Sequence, residues 1–172
     1  MTSLRVGIGY DSHRFDATRT LVLGGVIIPD HAGLAGHSDG DAVAHAVIDA
    51  ILGAAGAGNV GSHFPPSDGT WKNADSMMLL RKAAGILRDR DRRVVNVDVT
   101  VVCETPRIEA HAVPMREQLA VALDVTPSQI SIKGKTNEGM GWIGRGEGLA
   151  VHAVALVDSH VAGTEAPAAT GL

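Results

Sequence analysis

Apolar and polar residues alternate most plainly between Arg93 and Glu104. Val95, Val97, Val99 and Val101 take one side and Asn96, Asp98, Thr100 and Val102 the other, a period of two that predicts a strand. Leu149 to Asp158 repeats the pattern, with Val151, Ala153, Ala155 and Val157 set against His152 and Val154. Leu4 to Ile8 reads as a short strand. Leu21-Val22-Leu23 and Val26-Ile27-Ile28 predict a hairpin around Gly24-Gly25. Pro29 to Gly40 reads as a loop. The period then lengthens. From Asp39 or Asp41 to about Ala55, Val43, Val47, Ile48, Ile51 and Leu52 form a helical stripe, while Asp41, His45 and Asp49 recur four residues apart on another face. Gly56 to Asn73, with Pro65-Pro66 and Asp68-Gly69, reads as a loop long enough to be a binding lid. Asp75-Ser76 caps a predicted helix to about Asp91. Pro114 suits the first position of a helix to about Leu123. Thr126-Pro127-Ser128 is a turn, Ile130 to Lys133 a strand, and Lys135 to Gly148 a Gly-rich loop.

This order predicts an α+β, two-layer fold: a mixed, mainly four-stranded sheet with helices on one face and a small β-hairpin. Residues 1–158 are expected to form a single domain, and 159–172, rich in Ala, Gly, Pro and Thr, read as a disordered C-terminal tail. So few helices cover only one sheet face, so another subunit is expected on the other.

Composition narrows the class. A chain of 172 residues buries roughly 70% of its unfolded surface and needs no staples. A formal charge of −4 argues against a general binder of nucleic acid or of a membrane surface. Cys103 is the single cysteine, so no intrachain disulfide forms. No run is long enough to span a bilayer, and Met1 to Arg5 leads straight into a strand without a leader-like segment. Together these give a cytoplasmic expectation. Glycine supplies 21 residues, well above the usual share of roughly 7%, mostly in loops where backbone can approach a ligand.

The candidate chemistry starts at Asp11-Ser12-His13 and His45. One carboxylate and two imidazoles can fill three corners of a tetrahedral zinc site and leave the fourth for substrate; manganese, cobalt and iron suit the same donors. Asp11 and His13, two apart in an extended segment, share a side. On spacing alone, ordinary surface or buried histidines remain the alternative. His37, just ahead of the helix carrying His45, can reach a ligand at the metal and stabilise charge on a phosphoryl oxygen. Asp39 and Asp41 are equally helix caps or catalytic groups. His31, His63, His111, His152 and His160 read as solvated or hydrogen-bonded side chains. Lys133 to Trp142 puts amines, a hydroxyl and the Glu138 carboxylate on one loop, suited to phosphate and a second, oxygen-preferring ion, without Walker spacing. Arg145, between glycines, can fork onto a phosphate or simply pair with Glu147. Cys103 has no neighbouring base to make it a nucleophile.

Taken in order, Gly9-Tyr10-Asp11-Ser12-His13, Leu23-Gly24-Gly25, His37-Ser38-Asp39-Gly40-Asp41 through His45, Asp49-Ala50-Ile51-Leu52-Gly53, Asn96-Val97-Asp98 and Gly144-Arg145-Gly146-Glu147-Gly148 resemble the 2-C-methyl-D-erythritol 2,4-cyclodiphosphate synthases of non-mevalonate isoprenoid biosynthesis. The resemblance covers roughly residues 4–158. It implies a homotrimer whose sheets pack around a three-fold axis, with active sites between subunits. It implies a phosphorus–oxygen lyase that takes 4-diphosphocytidyl-2-C-methyl-D-erythritol 2-phosphate and releases CMP and the cyclic diphosphate. By position, Asp11, His13 and His45 hold zinc. His37 and Thr136 flank the transferring group as transition-state stabilisers. Ser38 and the loop from Asn59 to Asp68, with Val60, Gly61 and Phe64, contact the methylerythritol phosphate part, and Asp11, His13 and His37 also bind substrate. Cys103, Glu104, Thr105 and Pro106, on a segment reaching Glu109, receive the cytidine and its phosphates together with Lys135, Thr136, Asn137 and Glu138. Glu138 lies near a second ion, magnesium or manganese. Trp142 and Arg145 line the same region. Arg145 and Glu147 also face an axial cavity that in relatives holds an isoprenoid diphosphate.

Two segments depart from the family pattern. Gly58-Asn59-Val60-Gly61 carries an amide where a carboxylate is usual, and Phe64-Pro65-Pro66-Ser67-Asp68 carries Pro66 in place of an Asp. Two rival readings stand beside the resemblance: a zinc-dependent phosphohydrolase, for which Asp41 is the nearby general base, and a non-catalytic trimeric binder of prenyl diphosphates through Arg145.

Overall fold

The computed structural model describes residues 3–159, and the expected C-terminal tail lies outside them except for Ser159. Its frame is a long first strand, β1 (Leu4–Leu23), not the short segment expected at Leu4 to Ile8. Hydropathy hides this length because the inward positions are Gly7, Gly9, Asp11 and His13, none of them apolar and bulky. β1 turns through Gly24-Gly25, at φ 57° and 75°, into β2 (Val26–Leu34). β2 therefore covers much of the predicted Pro29–Gly40 loop. It is an edge strand, where proline is tolerated, and its pairing with β1 slips around Thr20 and Leu21.

Helix α1 (Ala42–Ala55) follows, then a four-residue turn of helix, α2 (Val60–His63), and a 3-10 turn at Gly69–Trp71. These turns structure the expected lid loop. The remaining elements are α3 (Ser76–Arg88), β3 (Arg92–Val102), α4 (Ala112–Leu123), β4 (Ile130–Lys135), the short α5 (Gly141–Gly144) and β5 (Gly148–Ser159). Pro114 is the third residue of α4, not the first. Its missing N–H would still have found no partner within the helix there. Alternation in β3 also breaks once. A bulge between Val94 and Asn96 turns Val94 inward in place of Val95.

The sheet order is β2-β1-β5-β3-β4. Neighbours are antiparallel except β3 and β4, whose parallel pairing requires the crossover that α4 provides. All long helices cover one face. α1 sits closest, because a Cβ at Gly9 would land on the Ala46 carbonyl oxygen and one at Gly7 on that of Ala50. The two glycines and the Ala46–Ala50–Ala54 row let helix and strand backbones touch, and Val43, Val47, Ile48, Ile51 and Leu52 fill the core around them. On the opposite face Leu4, Val6, Ile8 and Tyr10 stand exposed beside Val154, with Val6 at 69% and Ile8 at 70% of full exposure. Among the described residues no helix is long and apolar enough to cross a membrane.

Candidate functional site

The close seat of α1 on β1 creates the site. Asp11 and His13 project toward the helix from the strand positions that follow Gly7 and Gly9, and His45 projects back from the first turn of α1. One ligand atom from each residue lies within 4.8 Å of the other two. His13 Nε2 is 2.9 Å from Asp11 Oδ2, and His45 Nδ1 is 3.1 Å from the same oxygen. The three predicted metal residues thus share one point.

The hydrogen bonds behind these side chains test whether a metal suits them. His13 Nδ1 lies 2.5 Å from the Ala35 carbonyl oxygen, which can only accept, so the proton of a neutral His13 is on Nδ1. Its Nε2 then aims an unshared pair at a carboxylate oxygen, which is repulsive unless a cation lies between them. Nitrogen, nitrogen and oxygen donors around one point, with ring orientation fixed from behind, are the donor set of a transition-metal ion. A proton fills the role less completely. The Asp11 carboxylate raises the His13 pKa above its ordinary 6.5 although burial works against it. Burial would raise Asp11, but hydrogen bonds and charge from His13 and His45 outweigh it and bring the carboxyl down to about 2.

Asp41 does not belong to this cluster. It is wholly buried, and both its oxygens are engaged. Oδ1 accepts from Gly24 N–H at 2.8 Å and from Ala44 N–H at 3.0 Å, and Oδ2 accepts from Gly25 N–H at 2.7 Å. It caps α1 and ties that helix to the hairpin turn. Burial pushes its carboxyl up to about 6 against those three donors. With both oxygens buried and engaged away from the cluster, Asp41 is not placed to serve as the general base required by the hydrolase reading. Asp49, one turn beyond His45, accepts from Val60 N–H at 2.7 Å, and burial raises its pKa.

His37 is exposed and Ser38 buried on the turn that leads into α1. Arg19, which sequence reasoning missed, donates to the carbonyls of Gly36 and Ser38 and clamps this turn. From the other side, Asn73 N–H donates to the His37 carbonyl at 3.0 Å. Asn59 caps α2 through Ser62 N–H at 2.9 Å, with Val60 and Gly61 following it. Phe64 turns inward, edge-on to Trp71, and Asp68 caps the 3-10 turn through Thr70 N–H.

A second set gathers at the ends of β3 and β4. Cys103, Glu104, Pro106, Gly134, Lys135 and Thr136 line a cavity of about 330 Å³. Glu104 holds its far wall by accepting from Asn137 and Gly139 N–H, and Thr136 Oγ1 donates to Glu138 at 2.9 Å. His31 packs at a tilt against Phe15 and reaches Thr105 Oγ1 at 2.9 Å, tying β2 to the segment after β3. Burial pushes the Cys103 thiol up to about 11, so it is no nucleophile. Asp11, Val151, Val101 and Gly134 lie in one row across β1, β5, β3 and β4. Two strand spacings separate Asp11 from β3 and three from β4, about 10 and 14 Å. Trp142 borders a third hollow with Ser12, His13, Arg14 and Glu147. Exposed Arg145 pairs with Glu147 at 2.7 Å.

The YgbB family model matches residues 4–158. The chain belongs to the YgbB family. Curated relatives agree in length as well as sequence. One from Symbiobacterium thermophilum, a 2-C-methyl-D-erythritol 2,4-cyclodiphosphate synthase, is 52% identical over 152 residues, covering 88% of this chain and 97% of its own. Another of that name from Syntrophomonas wolfei is 49% identical, covering 90% and 99%. Among solved structures, Plasmodium falciparum IspF in complex with CDP superposes with a TM-score of 0.79 at 34% identity, over 90% of this chain and 96% of that one. The bifunctional IspDF of Campylobacter jejuni superposes at 0.89 with 38% identity, and this chain spans 43% of it. The α+β fold expected from the strand and helix periods is that of the YgbB family.

Proposed function

We propose that the chain converts 4-diphosphocytidyl-2-C-methyl-D-erythritol 2-phosphate into 2-C-methyl-D-erythritol 2,4-cyclodiphosphate and CMP. An oxygen of the 2-phosphate attacks the phosphorus nearer the sugar alcohol, and the bond from that phosphorus to the CMP oxygen breaks. The observation that carries the reading is the convergence of Asp11, His13 and His45 on one point in a chain about half identical to synthases of that name. Phosphoryl transfer within one substrate needs alignment and cations, not a protein nucleophile.

The donor set favours zinc at Asp11, His13 and His45, where it would polarise a phosphoryl oxygen as a Lewis acid. His37 on its clamped turn and the Thr136 hydroxyl act on charge developing at the transferring group. Ser38, with Asn59, Val60, Gly61, Phe64 and Asp68, forms the methylerythritol phosphate end. Asn59 can offer its amide N–H groups, while its oxygen already accepts from Ser62 N–H as the cap of α2. The cavity of Cys103, Glu104, Pro106 and Lys135, with neighbouring Thr105 and Asn137, takes the CDP portion, with Glu138 beside magnesium or manganese. The P. falciparum relative's CDP complex supports this assignment.

Three copies pack the exposed Leu4–Tyr10 face around a common axis, with sites between neighbours. Trp142 closes the site near His13, and Arg145 faces an axial cavity suited to an isoprenoid diphosphate. The enzyme works in the cytoplasm. Phosphorus NMR of the reaction with the synthetic substrate tests the chemistry. Cyclic diphosphate and CMP in equal amounts are expected, and a linear phosphate product would refute it.

A further inference from the structure

The sequence places Ser76 in a helix cap, but Asp75 does the capping by accepting from Met77 N–H at 2.8 Å. The Ser76 side chain, 0% exposed, points instead into the back of the metal cluster. Its Oγ lies 2.5 Å from Asp39 Oδ1 and 2.9 Å from His45 Nε2. Asp39 is held for this contact, because its Oδ2 accepts from Ser76 N–H at 3.0 Å and its Oδ1 from Asp41 N–H at 3.1 Å.

The direction of these bonds follows from counting protons. A carboxylate has none to give, so the single hydroxyl proton of Ser76 goes to Asp39. Only lone pairs of the Ser76 oxygen then face His45, and Nε2 must be the donor. The nearby Ser38 hydroxyl, 3.1 Å from the same nitrogen, does not reverse this, since a bare Nε2 would leave two lone pairs opposed across 2.9 Å. In the neutral ring, which carries a single proton, Nδ1, the nitrogen facing Asp11 at 3.1 Å, is then left bare.

We infer that Ser76 and Asp39 form a positioning relay that locks His45 in its Nε2–H tautomer and keeps Nδ1 free to bind the metal. The relay rests on the metal reading above and extends it to the first residue of α3. The start of that helix is thereby coupled to the cluster. His13 is fixed from behind by a backbone carbonyl, whereas His45 depends on two side chains and is open to substitution.

Two measurements test it. In metal-free wild-type protein, at a pH where the ring is neutral, long-range proton–nitrogen NMR should place the His45 proton on Nε2. In Ser76→Ala that preference should weaken, and zinc affinity measured against a competing chelator should fall about 10- to 100-fold with the unfolding transition retained. A wild-type proton on Nδ1 overturns the relay even if Ser76→Ala fails to fold, as does an unchanged zinc affinity in a folded Ser76→Ala. Wild-type protein that takes up no zinc, or His45→Ala that binds it as tightly, refutes the metal reading instead. The tautomer of His45 still judges the relay in that case.

Discussion

At the scale of the residue, the protein places charge where the other residues have already fixed its partner. His13 and Asp11 have opposite pH signatures. The folded pKa of His13 is raised, so its contribution to stability is complete below 6.5 and is lost as pH rises through the folded value. That of Asp11 is depressed to about 2, so its contribution is held above 3.8 and lost as pH falls toward 2. For this pair the metal-free protein is expected to be most stable between those limits. Zinc must displace the His13 Nε2 proton, so zinc affinity should rise with pH above 6.5 until His13 is neutral. Chelator competition at a series of pH values checks this, and a flat profile would contradict it. Asp41 shows the structural use of a carboxylate. Asp41→Ala strips three backbone N–H groups of their acceptor and should cost about 3 kcal/mol in urea unfolding.

At the scale of the element, α1 against β1 decides the site. Gly9→Ala drives a methyl group into the Ala46 backbone. It should destabilise by about 3 kcal/mol or more and abolish zinc binding by lifting His45 off the strand. Gly53→Ala is the control. Its Cβ would meet nothing nearer than the Ile8 carbonyl at 3.9 Å, and the change should raise stability by up to about 1 kcal/mol. Urea titrations and zinc binding separate the two.

The same elements show what the sequence carried. The stripe of α1 and the alternation of β5 were legible because core packing follows backbone periodicity. The length of β1 was not, since glycines and metal ligands occupy its inward positions. β2 was cut short at Pro29, which only an edge strand accepts. Asp11, His13 and His45 were legible as donors. Asp41 was legible as a candidate cap, but its tie to the hairpin turn, and the parts played by Arg19 and Ser76, were not, because each acts through backbone or side-chain partners brought together only by folding.

At the scale of the whole molecule, one face of the sheet carries the helices and the other carries Leu4, Val6, Ile8, Tyr10 and Val154 in the open. A patch of this kind marks an association surface. Trimers are expected in solution. Ile8→Arg should break them in sedimentation analysis and suppress turnover, while each separated chain keeps the Asp11–His13–His45 cluster and its zinc. Full activity in a monomer would contradict sites shared between copies.

The central claim is that Asp11, His13 and His45 hold one catalytic divalent ion. Anomalous diffraction at the zinc edge, from crystals of the zinc-loaded protein, tests it most directly. One strong peak per chain is expected, at about 2.0–2.2 Å from an Asp11 oxygen, His13 Nε2 and His45 Nδ1. A peak elsewhere, or none at this cluster, would contradict it.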